Sequence, residues 1–326
     1  LDPFLKLSAP DGGGYWEVPV LFEDEHLLAL DKPSGLLTSP DRYDPTRPNL
    51  MRLLHAHIAR GAPWVRERGI TYLANAHRLD LETSGILLLA KSKAVLTGLT
   101  NQFGAEKPLK QYFALVHGAP REEEFTIEGK LAPHPTRVGV MQMHPKEGKQ
   151  SRTDFRVRER LIGYAILDCL PRTGRTHQIR AHLRWAQYPI VGDRVYGGSP
   201  LRLSELKTDY RTGKGREERP LIARVALHAA VLELAHPVNG SPLRIEAPLP
   251  KDLRVALKYL RKYAVPGGVA TTEPDVDLGS ESATEAVPAA VPGPEPSPSP
   301  SRKSSSKPAS KPGTKTRAGE GDTWVY

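Results

Sequence analysis

Asp80 is an acid in unfavourable surroundings. It stands in HRLDLETSGILLLAK, residues 77–91, two residues after Arg78 and just ahead of an almost unbroken aliphatic run. A lone carboxyl beside a buried strand tends to take up a proton, whereas a guanidinium within ~4–6 Å keeps it ionised and therefore nucleophilic. The pattern admits two roles: one half of a structural ion pair, or a nucleophile aimed at an electrophile. Glu82 follows at i+2, on the same face of an extended chain. Carboxyls that cleave a glycosidic bond flank it from opposite sides, so a hydrolase built on Asp80 and Glu82 is set aside.

A guanidinium is available in RTGRTHQIRAHLRW, residues 172–185. As a helix following a turn at Thr173 and Gly174, this segment puts Ile179, Leu183 and Ala186 on one face and His177, Arg180 and Arg184 on the other. One reading is a solvated basic face. The other is an arginine that meets a distant carboxylate through a planar, paired contact that lysine would not reproduce. Arg175, with the free N–H groups of a first helical turn, suits a phosphate. Tyr112, in KQYFALV, offers a ring for stacking and a phenol for proton transfer, though a tyrosine in a strand also serves simply as core.

Other chemistries lack their residues. His77, His177, His182 and His228 form neither HxH nor HExxH, there is no CxxC, and the single Cys169 lies in the apolar segment YAILDCL. A zinc site and an intramolecular disulfide are therefore not expected. The glycines at 12–14 and 267–268 lack the strand-to-helix context of a phosphate loop, so no nucleotide cofactor is expected either.

The elements that must position these residues are legible as short β-rich runs interspersed with amphipathic helices. Leu50, Leu54 and Ile58 recur at helical spacing, as do Leu96, Leu99 and Phe103 behind a Ser92 cap. Strand patterns fall on LLALD, GILLLAK, KQYFALVHG, SRTDFRVRER paired with YAILDCLP about Gly163, LHAAVLELAHP and LRIEAPLP. Without a strict βαβ rhythm, the pattern predicts an α+β domain with a mixed, largely antiparallel central sheet flanked by helices. Residues 1–14 read as a flexible N-terminal segment, 15–264 as the catalytic domain and 265–326 as a disordered Pro/Ser/Lys-rich tail. The charged stretch 199–219 reads as a surface insertion. The net charge is +9, and from residue 266 on eight acids face six bases, which leaves the folded part near +11. Such a field suits a polyanion. No segment has the length and apolarity of a membrane span or the layout of a signal peptide, so a cytoplasmic protein without membrane association is expected.

Six blocks in order resemble the RluA-type pseudouridine synthases: DKPSGLLTSP (31–40), HRLDLETSGILLLAK (77–91), KQYFALVHG (110–118), TGRTHQIRAHL (173–183), PIVGDRVYGG (189–198) and LHAAVLELAHP (227–237). HRLDxxTSG followed by GRTHQIRxH is the specific combination, and the histidine opening HRLD is similar to the RluA branch. The resemblance implies that Asp80 is the nucleophile of uridine-to-pseudouridine isomerisation, attacking ribose C1′ or uracil C6. It implies that Tyr112 packs on the target base and takes part in proton transfer, that Arg180 ion-pairs with Asp80, and that Arg78 enters the RNA stack as the uridine flips out. Lys32, Arg175 and His177 lie in blocks lining the same cleft and are assigned to RNA binding, with a structural role as the alternative. The implied protein is a monomer that needs no cofactor or metal and acts on RNA, ribosomal RNA first and transfer RNA second. A catalytically silent RNA-binding or ribosome-assembly factor on the same fold is the alternative from another class.

Overall fold

A computed structural model describes residues 1–9, 14–41, 44, 46–207, 209–211 and 217–265. Strands β1 (Phe4–Ser8), β2 (Tyr15–Glu23) and β3 (Leu27–Lys32) lead into helices α1 (Leu50–Ala59) and α2 (Pro63–Glu67). The short β4 (Ala74–Asn75) precedes β5 (Ser84–Ala90) and helix α3 (Lys93–Gly104). Then come β6 (Leu109–His117), β7 (Glu124–Pro133), β8 (Met141–His144), β9 (Lys149–Leu161) and β10 (Tyr164–Pro171). Helices α4 (Gln178–Trp185) and α5 (Leu203–Leu206), strands β11 (Leu227–Ala235) and β12 (Pro242–Glu246), and helix α6 (Lys251–Tyr263) complete the described chain.

The strands line up in one sheet in the order β1, β2, β3, β5, β11, β6, β10, β9, β7, β8, with β4 also on β5 and β12 also on β11. Among these strands only β5 and β11 pair in parallel, in the register Ser84 with His228 and Ala229 with Gly85. The fold is the expected α+β class with an antiparallel-dominated sheet. Patterning explains the placement of individual strands. β5 is buried at every position, as the continuous run SGILLLA requires of a central strand. β9 alternates instead, burying Ser151, Thr153, Phe155 and Val157 while Arg152, Arg156 and Arg158 face solvent. Its turn into β10 carries Gly163 at φ +77°, a conformation in which a side chain would be strained.

The expected Ser92 cap and the helical apolar spacings are present, and Asn49 adds a cap that is not among the expected signals. The Asn49 side chain caps α1 by accepting from the Arg52 N–H, Ser92 caps α3 by accepting from Val95, and Leu50, Leu54 and Leu99 are fully buried. Four apolar clusters form among the described residues, the smallest of Leu131, Val140, Ala181 and Tyr196 beside α4. Of the others, one lies around β6, β10, α4 and α6, a second under β1, α1 and α2, and a third between β3, β5, α3 and β12.

One expectation of the fold needs correction. Residues 4–8 are not a flexible segment: they form β1, paired antiparallel with β2, because Leu5 and Leu7 alternate with exposed neighbours and are completely buried. In the 199–219 stretch Leu201 is fully buried in a bridge to Ile222, and the described residues after it are exposed or half-buried, as a surface insertion would be. Apart from Val265, the Pro/Ser/Lys-rich tail lies outside the described residues.

Candidate active site

Asp80 sits on the loop between β4 and β5, and the backbone on either side of it is held from the segment that follows β3. Thr38 Oγ1 accepts from the Leu79 N–H at 3.1 Å and donates to the Leu79 carbonyl at 3.0 Å. The Gly35 N–H donates to Leu81 O at 2.9 Å, and Ser34 Oγ donates to Glu82 O at 2.8 Å. Lys32, fully buried, spreads its ammonium over Pro33 O (2.8 Å), Leu36 O (2.7 Å) and Leu81 O (3.4 Å). Past the loop the chain must enter the parallel seam with β11. Gly85 makes this possible: at φ +111°, a Cβ there would lie 2.3 Å from Ala229 O. The loop is thereby a fixed platform, and it leaves the Asp80 carboxylate 22% exposed at its surface.

The guanidinium comes from α4, seated on β9 by buried polar contacts. Gln178 Oε1 accepts from Thr173 Oγ1 (2.5 Å) and from the Arg175 N–H (3.0 Å), while its Nε2 donates to Arg152 O and Thr153 Oγ1, both at 2.9 Å. The His182 ring spans Thr153 Oγ1 at 3.0 Å and Ser151 Oγ at 2.9 Å. With α4 so fixed, Arg180 Nη1 reaches Asp80 Oδ2 at 3.4 Å. Its closer partner is Asp193, which is fully buried and accepts from Nε at 2.7 Å and from Nη2 at 2.9 Å. This is the planar, two-pronged contact for which arginine is suited. Tyr196 completes the mount, its ring centroid 5.0 Å from the Arg180 guanidinium carbon and its hydroxyl accepting from the Met141 N–H. His177, in the left-handed conformation at φ +52°, places Nδ1 3.1 Å from the Tyr196 hydroxyl and Nε2 3.9 Å from Asp80 Oδ2.

Burial on its own would lower the pKa of Arg180, but the bonds and charge of Asp193, followed by the charge of Asp80, more than offset it and hold the guanidinium firmly cationic. Burial pulls His177 below its usual range against the opposing pull of Asp80, so its ring is neutral at pH 7. Tyr112, on β6, is driven well above the ordinary phenol range by burial and then by the neighbouring Asp80 charge. It is therefore a neutral phenol facing the carboxylate. Glu82, also raised by burial, stands under the fields of Arg180, Asp193 and Arg224. Among the described residues no group of three or more His, Cys, Asp or Glu side chains is placed to hold a metal ion, and no helix is long and apolar enough to cross a membrane.

The structure brings Arg180 and His177 to Asp80, at 3.4 and 3.9 Å, and puts Tyr112 near enough to feel the Asp80 charge. Arg78 is exposed two residues before Asp80. Arg175 lies at the edge, donating to Gln150 O at 2.9 Å and to Glu106 Oε1 at 3.3 Å. Lys32 is a correction: a side chain with no exposed surface and three carbonyl partners cannot touch RNA, and burial lowers its pKa to about 7. It braces the Asp80 loop instead. Asp193 and Tyr196 were not among the expected site residues. The available signal was Asp193 as the one acid within PIVGDRVYGG, whose Ile190 and Val191 are buried.

The RNA pseudouridylate synthase family model matches residues 26–185. Ribosomal large subunit pseudouridine synthase D of Xylella fastidiosa is 38% identical over 243 residues, which cover 74% of this chain and 69% of that protein. Ribosomal large subunit pseudouridine synthase C of Salmonella typhi is 35% identical over 246 residues, 75% of this chain and 70% of that protein. Among solved structures, human RNA Pseudouridylate Synthase Domain Containing 4 shares the fold at a TM-score of 0.57 and 22% identity, covering 74% of this chain and 92% of that one. On these relationships, the chain belongs to the RluA-type RNA pseudouridine synthases.

Proposed function

We propose that the protein isomerises uridines of large-subunit ribosomal RNA, with Asp80 as nucleophile. The observation that carries this reading is the guanidinium of Arg180, which is clamped by buried Asp193 and presented to the part-exposed Asp80 carboxylate, whose charge also reaches Tyr112. In the isomerisation the N1–C1′ bond breaks, the base turns, a C5–C1′ bond forms, the C5 proton leaves and N1 gains one. Atoms and electrons balance with no oxidant, reductant or hydrolytic water. Asp80 assists by bonding transiently to C1′ or to C6; the geometry is compatible with both routes. Arg180 fixes the direction of the carboxylate. Because Tyr112 is held protonated, it packs against the base as a neutral phenol, and C5 deprotonation through it requires that it pass on its own proton in the same step. Arg78, exposed beside the nucleophile, fills the stack left by the flipped uridine, and Arg175 at the edge meets a backbone phosphate.

The choice of ribosomal RNA over transfer RNA is supported by the names of the relatives above. We also read the protein as a monomer acting in the cytoplasm. The test is direct: EDTA-treated protein is incubated with transcripts of large-subunit ribosomal RNA and of transfer RNA, and pseudouridine is mapped in both and in total RNA from cells lacking the protein. Pseudouridine appearing at defined ribosomal positions in vitro, and missing there in the deletion strain, is expected. Modification of transfer RNA alone overturns the substrate assignment, and binding without conversion overturns the catalytic one.

A further inference from the structure

Successive residues of a strand point to opposite faces of the sheet. Tyr112 lies on the catalytic face of β6, so its neighbour Phe113 lies on the other. Phe113 lines a shallow groove together with Leu257 and Arg254 of α6, which puts α6 on the face away from Asp80. The helix packs Leu253, Ala256, Leu257 and Leu260 into the core and exposes Lys251, Arg254, Lys258 and Arg261. The carboxylates nearby are already engaged. Asp252 takes Arg224 through two bonds of 2.7 and 3.0 Å, Glu159 takes Arg261 at 2.8 Å, and Asp168 takes Arg158 at 2.6 Å. Among the described residues no carboxylate lies within ion-pair distance of Lys251, Arg254 or Lys258. Three uncompensated cations thus form a stripe, stepping ~4.5 and ~6 Å along the helix axis. The stripe, ~10.5 Å long, spans about three of the ~3.4 Å rises between phosphates of one strand.

We propose that this stripe on α6 is a second RNA-binding surface, separate from the catalytic pocket, which holds the phosphate backbone of a structured RNA wrapping past the edge of the sheet. It rests on the ribosomal-RNA reading only for the choice of RNA. An RNA too small to reach both faces would not use it. The test compares wild-type protein with the full-length triple variant Lys251→Glu, Arg254→Glu, Lys258→Glu on two substrates: a short stem-loop containing a mapped target uridine, and a transcript of the surrounding ribosomal domain.

Turnover of the stem-loop is expected within about twofold of wild type, which also certifies the fold. Binding of the long transcript should weaken by roughly 10- to 100-fold at low salt, and the slope of log K against log salt should fall by about two to three. An unchanged slope on the long transcript overturns the proposal. So does an equal loss on both substrates, which would place these cations in the catalytic groove. Should the Glu variant fail to fold, the corresponding Gln variant is held to the same criteria with a slope change of about two. Loss of stem-loop activity in wild-type protein would instead strike at the catalytic assignment.

Discussion

Asp193→Asn removes one charge and one acceptor from the mount of Arg180 while keeping the size of the side chain. In the wild type two bonds of 2.7 and 2.9 Å hold the guanidinium to Asp193, and a longer one of 3.4 Å points it at Asp80. Hydrogen bonds to charged groups contribute about 1.5–3 kcal/mol each, and asparagine retains a single oxygen for two N–H donors. A stability loss of about 2–3 kcal/mol follows, which for a domain of this size is a drop in Tm of roughly 4–12 °C. The catalytic effect should be larger in proportion. Released from Asp193, Arg180 can shift towards Asp80 or away from it, and a displacement of ~1 Å in a positioned group costs on the order of 100-fold in rate. The assay follows tritium released from RNA carrying 5-tritiated uridine, with RNA affinity measured separately by filter binding. We expect kcat to fall by about 100-fold with KM within about threefold, because Asp193 is buried and touches no RNA. Wild-type kcat alongside the lowered Tm would refute the reasoning and reduce Asp193 to a structural ion pair.

Lys32→Met should lower both Tm and kcat, since it leaves the Leu36 and Pro33 carbonyls without a donor at about 1–3 kcal/mol each; the salt slope of RNA binding should not move, and a shallower slope would restore Lys32 as a phosphate contact. Gly85→Ala should abolish soluble expression or cost at least ~3 kcal/mol, because the added methyl would sit 2.3 Å from Ala229 O at a positive φ; a near-native Tm would show that the seam can open. Stability should fall in mild acid. His182 and His228, both fully buried, titrate at about 4 in the folded chain instead of 6.5, so between these values the unfolded state binds more protons and unfolding is favoured as pH drops. Each ring accounts for up to about 3 kcal/mol lost from pH 6.5 to pH 4, and denaturant titrations across that window that show no loss would contradict the buried, neutral rings.

What could be read from the residues depended on whether the signal was local. The run SGILLLA announces a central strand, and the apolar period of QIRAHLRW announces a helix whose Arg180 faces away from its aliphatics. The residues alone leave Arg180 either on a solvated basic face or opposite a distant carboxylate, and the Asp80–Arg180 pairing is what the family resemblance implies. Asp193 illustrates the limit. Nothing in its neighbourhood says that a loop beyond α4 folds back to grip Arg180 more tightly than Asp80 does, because ion-pair choice is made by tertiary packing. Lys32 shows a different limit: its place in a block lining the cleft leaves RNA binding and a structural role both open, and only three converging carbonyls show that it is a buried brace. The periods of β1 and α6 are present in FLKLS and KDLRVALKYLRKY, yet neither is among the expected elements. In β1 the short alternation abuts the Gly-rich 12–14 stretch, and α6 carries so many charges that its apolar face, Leu253, Leu257 and Leu260, is easily passed over.

The central claim is that the Asp80 carboxylate is the attacking group. Single-turnover tritium release by Asp80→Asn, with enzyme in excess and saturating over the RNA, tests it without interference from binding or product release. The account predicts a loss of at least about 1,000-fold with RNA affinity unchanged within threefold. Release within tenfold of wild type by a side chain that cannot form the ester would contradict it.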